Sequence, residues 1–167
     1  MAPTNVHLIC GSTGAGKSTY ARGLSQCIRS PVLSIDDWMM TLFGPEVAGP
    51  PDWSWISARV ARCETQIVKI AVEIGRAGKT SILDVGLLRA DRRREIAGEL
   101  QRNGLGVALH VLDVDAETRW RRVTARNHAR GDTYRIEVTR PMFDFVETLW
   151  QRPDATELAA LNGTRFS

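Results

Sequence analysis

The 167 residues carry a net charge of +3, and 43% hydrophobic with 25% charged residues is the balance of a globular chain that buries a core without disulfides or metal. No apolar run approaches the ~20 residues of a membrane span, and "MAPTNVHLIC" lacks the basic and apolar regions of a secretory leader, which points to the cytoplasm. Cys10, Cys27 and Cys63 stand singly in apolar patterns, so they read as reduced, buried thiols, and the histidines show no metal-ligand spacing.

A strand is expected over residues 6–10, followed by glycines and a helix from about Lys17. Between them Gly11, Gly16, Lys17 and Ser18 satisfy G-x-x-x-x-G-K-[ST], with the strand before and the helix after that this motif requires. Residues Gly11, Ser12, Thr13, Gly14, Ala15, Gly16, Lys17, Ser18 and Thr19 are therefore the expected phosphate cradle. Backbone N–H groups and the helix N-terminus face the anion, Lys17 reaches the β- and γ-phosphates, and the Ser18 hydroxyl binds magnesium. A dinucleotide fingerprint does not fit, because Thr19 stands where its third glycine belongs. ATP is expected rather than GTP, since no N-K-x-D-like tetrapeptide follows.

A second strand over 32–35 runs into Asp36 and Asp37, at the carboxyl edge where open α/β sheets bind ligands. Either carboxylate can take the proton of an attacking hydroxyl, or can cap the short helix that follows. Residues 38–55 form a loop-rich segment holding Trp38, Trp53 and Trp55 with two methionines and a phenylalanine. These aromatics line an acceptor pocket, stack bases, or anchor the loop to the core.

A long helix over about 54–76 carries Ile56, Val60, Cys63, Ile67, Ile70 and Ile74 as one stripe, too short for a coiled-coil seam and so read as core packing. The run over 81–84 ends in Asp84, which either approaches magnesium through water or forms a turn before Gly86. After a helix over 91–102 and a strand over 107–113 comes "DAETRWRRVTARNHARGDTYR". Arg119, Arg122, Arg126 and Arg130 share one helical face there. Arg119 and Arg121 read as a solvated basic face, whereas Arg126 and Arg130 enter a Gly-containing segment of lid character and are expected to stabilise charge on a transferring phosphoryl group. In the tail, Phe143, Val146 and Trp150 present either a partner surface or a face that docks in cis.

With no repeat or polar linker, residues 1–167 read as one domain of alternating strands and helices around a parallel sheet. The order "GSTGAGKST", "SIDDW", "SILDVG", "RVTARNHARG" resembles the small P-loop kinases grouped with phage polynucleotide 5′-hydroxyl kinase, chloramphenicol phosphotransferase and zeta toxin, over roughly residues 6–135. The resemblance implies a three-layer α/β P-loop kinase fold, with sheet order 2-3-1-4, room for a fifth strand, and a helical lid at about 126–139. It also implies ATP- and magnesium-dependent phosphorylation of a hydroxyl. By the polynucleotide kinase pattern Asp36 is the base, with Asp37 beside it on the acceptor side, and Arg126, Asn127, Arg130 and Gly131 match the lid motif. Two positions depart from that pattern: Ile35 replaces a basic residue, and Val85-Gly86 replaces a polar pair. The modest charge favours a small-molecule acceptor, with a polynucleotide 5′-hydroxyl kinase and an ATP-hydrolysing switch protein acting through a partner as the alternatives.

Overall fold

A computed structural model describes residues 4–44, 53–129, 131 and 137–167, Trp53 by its backbone alone. Five strands form one sheet in the order β2-β3-β1-β4-β5: β1 Thr4–Cys10, β2 Val32–Ser34, β3 Ser81–Asp84, β4 Gly106–Leu112 and β5 Thr164–Phe166. Every pairing is parallel, so the expected 2-3-1-4 order holds and the fifth strand adds beyond β4. The helices are α1 Lys17–Ile28, α2 Ile35–Phe43, α3 Trp53–Arg76, α4 Ala90–Arg102, α5 Ala116–Ala129, α6 Arg140–Leu149 and α7 Ala155–Ala160.

Strand alternation explains the layering. Val6, Leu8 and Cys10 of β1 join Val107, Leu109 and Val111 of β4 on one face, where they meet Ile67, Ala71, Ile96 and Leu100 from α3 and α4. Ile9, Ile82 and Leu112 point the other way, toward Ala21 and Tyr20 of α1. Each wholly buried Leu or Ile contributes about 1.5–3 kcal/mol of transfer free energy, so the two-sided sheet is the dominant apolar contribution to stability. The α3 stripe packs inward as expected, with Cys63 and Ile67 buried and Val60, Ile70 and Ile74 against the core. Cys27, expected to be buried, is exposed near the end of α1, whereas Cys10 and Cys63 are buried. Burial pushes the Cys10 thiol up to about 12.

The tail docks in cis. Phe143 is buried and Trp150 lies against the main core. Arg93 of α4, fully buried, donates to both carboxylate oxygens of Glu157 in α7 at 2.5 and 2.9 Å and to the carbonyls of Leu87 and Leu88. Breaking such a buried pair leaves an uncompensated charge at a cost of about 3–5 kcal/mol, which makes this contact a latch between the sheet's cover and the chain's end. Among the described residues no helix is long and apolar enough to cross a membrane.

On the α1 face, the two strand histidines meet. His7 Nδ1 lies 2.8 Å from His110 Nε2, and the Tyr20 hydroxyl lies 2.7 Å from His110 Nδ1. Phe166 stacks on the His110 ring. Burial, and secondarily the charge of His7, lowers the His110 pKa to about 4 from its ordinary 6.5. The folded state thus binds fewer protons than the unfolded one between those values, and the stability contributed by His110 is lost as pH falls from about 6.5 toward 4. His110→Phe, which keeps an aromatic ring against Phe166, is expected to show a shallower fall in urea midpoint than wild type across that window. Parallel curves for the two proteins would refute the assignment.

Candidate functional site

The site begins where β1 ends. Residues 11–16 turn over the strand end, and α1 starts at Lys17 with Gly16 in the left-handed region at φ 92°. Gly14, at φ 80°, packs so closely on α5 that a Cβ would meet the Arg119 carbonyl oxygen at 2.6 Å and Val123 Cγ2 at 2.9 Å. Glycine is required there on both counts, conformation and space. Lys17 arches back over the loop, its Nζ donating to the carbonyls of Gly11 at 2.9 Å and Ser12 at 3.2 Å. The ammonium thus sits over the concavity that the loop encloses.

β3 lies beside β1, which brings Asp84 to the start of α1: the Ser18 hydroxyl donates to Asp84 Oδ2 at 2.8 Å. Burial raises the pKa of Asp84, opposed by the charge of Lys17 and the Ser18 hydrogen bond, while the charges of Asp36 and Asp37 push it further up. A buried carboxylate that two further acids disfavour is a site where a divalent cation relieves both desolvation and repulsion. Among the described residues no group of three or more His, Cys, Asp or Glu can hold a metal alone. A magnesium ion held by Ser18 and, through water, by Asp84 would therefore take further oxygens from solvent and phosphate, as magnesium normally does.

β2 ends at Ser34, and Ile35 already belongs to α2. The cap is Ser34, whose hydroxyl accepts from the Asp37 N–H at 3.3 Å, so neither aspartate side chain serves as the cap residue. Asp36 and Asp37 occupy the first turn of α2, both exposed and favourably placed against its positive end. Trp38, Met39 and Phe43 pack against the main core, the anchoring arrangement among those considered for this segment. Trp55 meets Phe43 edge-on, and the Arg59 guanidinium lies 3.6 Å from the Trp55 ring centroid. The Trp53 side chain lies outside the described residues.

The arginine face divides. Arg119, expected in solvent, is buried at 4% exposure, because it shares the inward face of α5 with Val123 one turn later. Arg121 is exposed. Arg122 reaches the loop, with Nη1 3.4 Å from the Ala15 carbonyl oxygen. Arg126 has a buried Nε with no hydrogen-bond partner. Arg130 and most of the 130–136 segment lie outside the described residues. Asn127 clamps the stem of that segment, donating to the Val138 carbonyl at 2.9 Å and accepting from the Val138 N–H at 3.2 Å.

Loop, buried carboxylate and exposed aspartates stand on one carboxyl edge of a parallel 2-3-1-4-5 sheet, the arrangement of the P-loop kinase fold. The chain belongs to the AAA domain family, whose model AAA_33 matches residues 6–144. Solved structures share the fold at low sequence identity. The Mycobacterium tuberculosis APS kinase CysC, in complex with AMPPNP and APS, is 16% identical with a TM-score of 0.67, over 98% of this chain and 87% of that one. Chaetomium thermophilum Kti12, in complex with ADP-AlF3, is 13% identical with a TM-score of 0.69, over 97% and 88%. The Pnkp1/Rnl/Hen1 RNA repair complex contains a chain 16% identical with a TM-score of 0.68, over 89% of this chain and 45% of that one. No curated protein sequence matches significantly.

Asp84→Asn keeps the shape of the side chain while removing its charge. It is expected to raise the magnesium concentration needed for half-maximal ATP binding about tenfold or more, as loss of an outer-shell ligand does. A magnesium titration of ATP binding checks this, and an unchanged midpoint would remove Asp84 from the metal's surroundings.

Proposed function

We propose that this chain is an ATP- and magnesium-dependent phosphotransferase that moves the γ-phosphoryl group onto a hydroxyl of a small molecule. The observation that carries the reading is a juxtaposition. The phosphate loop follows β1, the exposed Asp36 follows β2, and the buried Asp84 ends β3, the strand between them. Donor cradle and candidate base therefore flank one metal-suited carboxylate.

In this reading the loop N–H groups from Gly11 to Thr19 hold the phosphates, and Lys17 leaves the Gly11 and Ser12 carbonyls to meet the β- and γ-phosphate oxygens. Ser18 and, through water, Asp84 would hold magnesium, which would supply countercharge to the phosphates. Asp36 accepts the proton of the acceptor hydroxyl as its oxygen bonds to the γ-phosphorus. The bond from that phosphorus to the bridging oxygen breaks, and ADP leaves with the electron pair. Arg126, whose Nε lacks a partner, and Arg130 supply countercharge from the lid at about 126–139. The acceptor enters along Asp37, Trp38, Trp53 and Trp55.

A small acceptor is favoured over a polynucleotide by how the cations are used. Arg119 and Arg93 are each bound to a glutamate inside the fold, Ile35 precedes the aspartate pair, and the net charge is +3. The modest net charge and the apolar residue before the aspartate pair support a small acceptor over a phosphate backbone, whose binding relies on concentrated positive charge.

The deciding assay incubates the protein with magnesium, γ-labelled ATP and a panel of small alcohols, sugars and 5′-hydroxyl oligonucleotides. Label on a small molecule is expected; label on the oligonucleotide, or only on free phosphate, would replace this reading with a polynucleotide kinase or a nucleotide switch. Asp36→Asn is expected to lower transfer at least about a hundredfold, the usual worth of a general base, with ATP affinity retained. Transfer at near the wild-type rate would move the role to Asp37. Lys17→Ala is expected to abolish transfer, and full activity in that variant would remove the donor site itself.

A further inference from the structure

A carboxylate beside a phosphate cradle is an electrostatic anomaly, since it repels the anion the loop is built to receive. Glu147 of α6 is such a group. Its Oε1 accepts from the Ser12 hydroxyl and from Arg119 Nη1 at 2.6 Å, and its Oε2 accepts from Arg119 Nη2 at 2.5 Å. Ser12 is 1% exposed and Arg119 4%. The guanidinium cancels the charge of the carboxylate in a bidentate, charge-assisted pair, the strongest class of side-chain hydrogen bond.

Arg119 makes two further hydrogen bonds, one of them to the same loop. Nη1 also reaches the Thr13 carbonyl at 3.2 Å, and Nε reaches the Val114 carbonyl at 2.8 Å. The Arg119 backbone carbonyl is the surface on which Gly14 rests. Ser12, Thr13 and Gly14, three consecutive residues of the loop, are thus held by one arginine and the glutamate that neutralises it. These contacts use the Ser12 hydroxyl and the Thr13 carbonyl oxygen, not the backbone N–H groups that would face a phosphate. The Arg119 and Ser12 hydrogen bonds hold the Glu147 carboxyl below the usual carboxylate range, so the clamp stays ionised at neutral pH.

We infer that Glu147, acting through Ser12 and Arg119, is a positioning residue that holds residues 12–14 in the shape that receives the nucleotide's phosphates. The inference rests on the donor-site reading above. Groups that bind a ligand are effective only when a supporting shell fixes them, and a loop released from that shell must be reordered each time ligand binds. The cost falls on binding.

The test measures ADP affinity in the presence of magnesium by titration calorimetry, well below the melting temperature, for wild type, Glu147→Gln, Ser12→Ala and the double variant. Glu147→Gln is expected to weaken ADP about tenfold and Ser12→Ala about three- to fivefold, with the double variant no worse than Glu147→Gln, because both act through one contact. A role confined to stability lowers the melting temperature of the free protein while leaving affinity unchanged, and that result overturns the inference. Fully additive losses overturn it as well. Should Glu147→Gln fail to fold, Ser12→Ala decides alone, since it deletes one hydroxyl and leaves the ion pair intact. Wild-type protein that binds no ADP overturns the donor-site reading itself, a result distinct from wild type and variants binding alike.

Discussion

Parallel pairing of β1 with β3 on one side and β4 on the other is the constraint on which the rest of this molecule depends. Parallel strands end at the same edge, so whatever follows each strand is delivered to one line in space. The glycine loop, the aspartate pair and Asp84 are far apart in the chain and become neighbours for that reason alone. The Ser18–Asp84 hydrogen bond at 2.8 Å spans 66 residues of sequence and needs only the adjacency of two strands.

Buried charge is handled in two ways. The fold buries two arginines and pairs each with a glutamate: Arg93 with Glu157 and, beside the loop, Arg119 with Glu147. At the edge, it leaves charge unspent. Asp84 is buried with a hydroxyl as its direct hydrogen-bond partner, and Arg126 keeps an unpaired Nε. Incomplete compensation of buried charge costs stability, and it persists where a ligand or ion completes the pairing.

Much of this was legible in advance. The phosphate loop with its flanking strand and helix and the buried stripe of α3 follow from residue patterns within a few positions of one another, and the resemblance to small P-loop kinases implied the sheet order. The arginine face was less legible. Four arginines at helical spacing look alike in sequence, yet Arg119 is inside, Arg122 touches the loop, and Arg126 is partly covered. A signal existed, because Arg119 stands one turn before Val123 on the inward face. Only a partner could decide its fate. That partner, Glu147, carries no motif at all and sits in a tail whose readable signal is its apolar residues. Cys27 illustrates the same gap from the apolar side: its local pattern read as buried, but it is exposed near the end of α1.

The amino-acid sequence by itself determined the alternation of strands and helices, the phosphate loop and the acidic strand ends, because these depend on periodicity and short spacings that a chain carries locally. Tertiary structure alone decided which charges meet. Ser12 and Glu147 are 135 residues apart, His7 and His110 103, and Arg93 and Glu157 64. Such pairs form because buried polar groups must find partners once the sheet has closed, and no local pattern records which partner the closed sheet will offer.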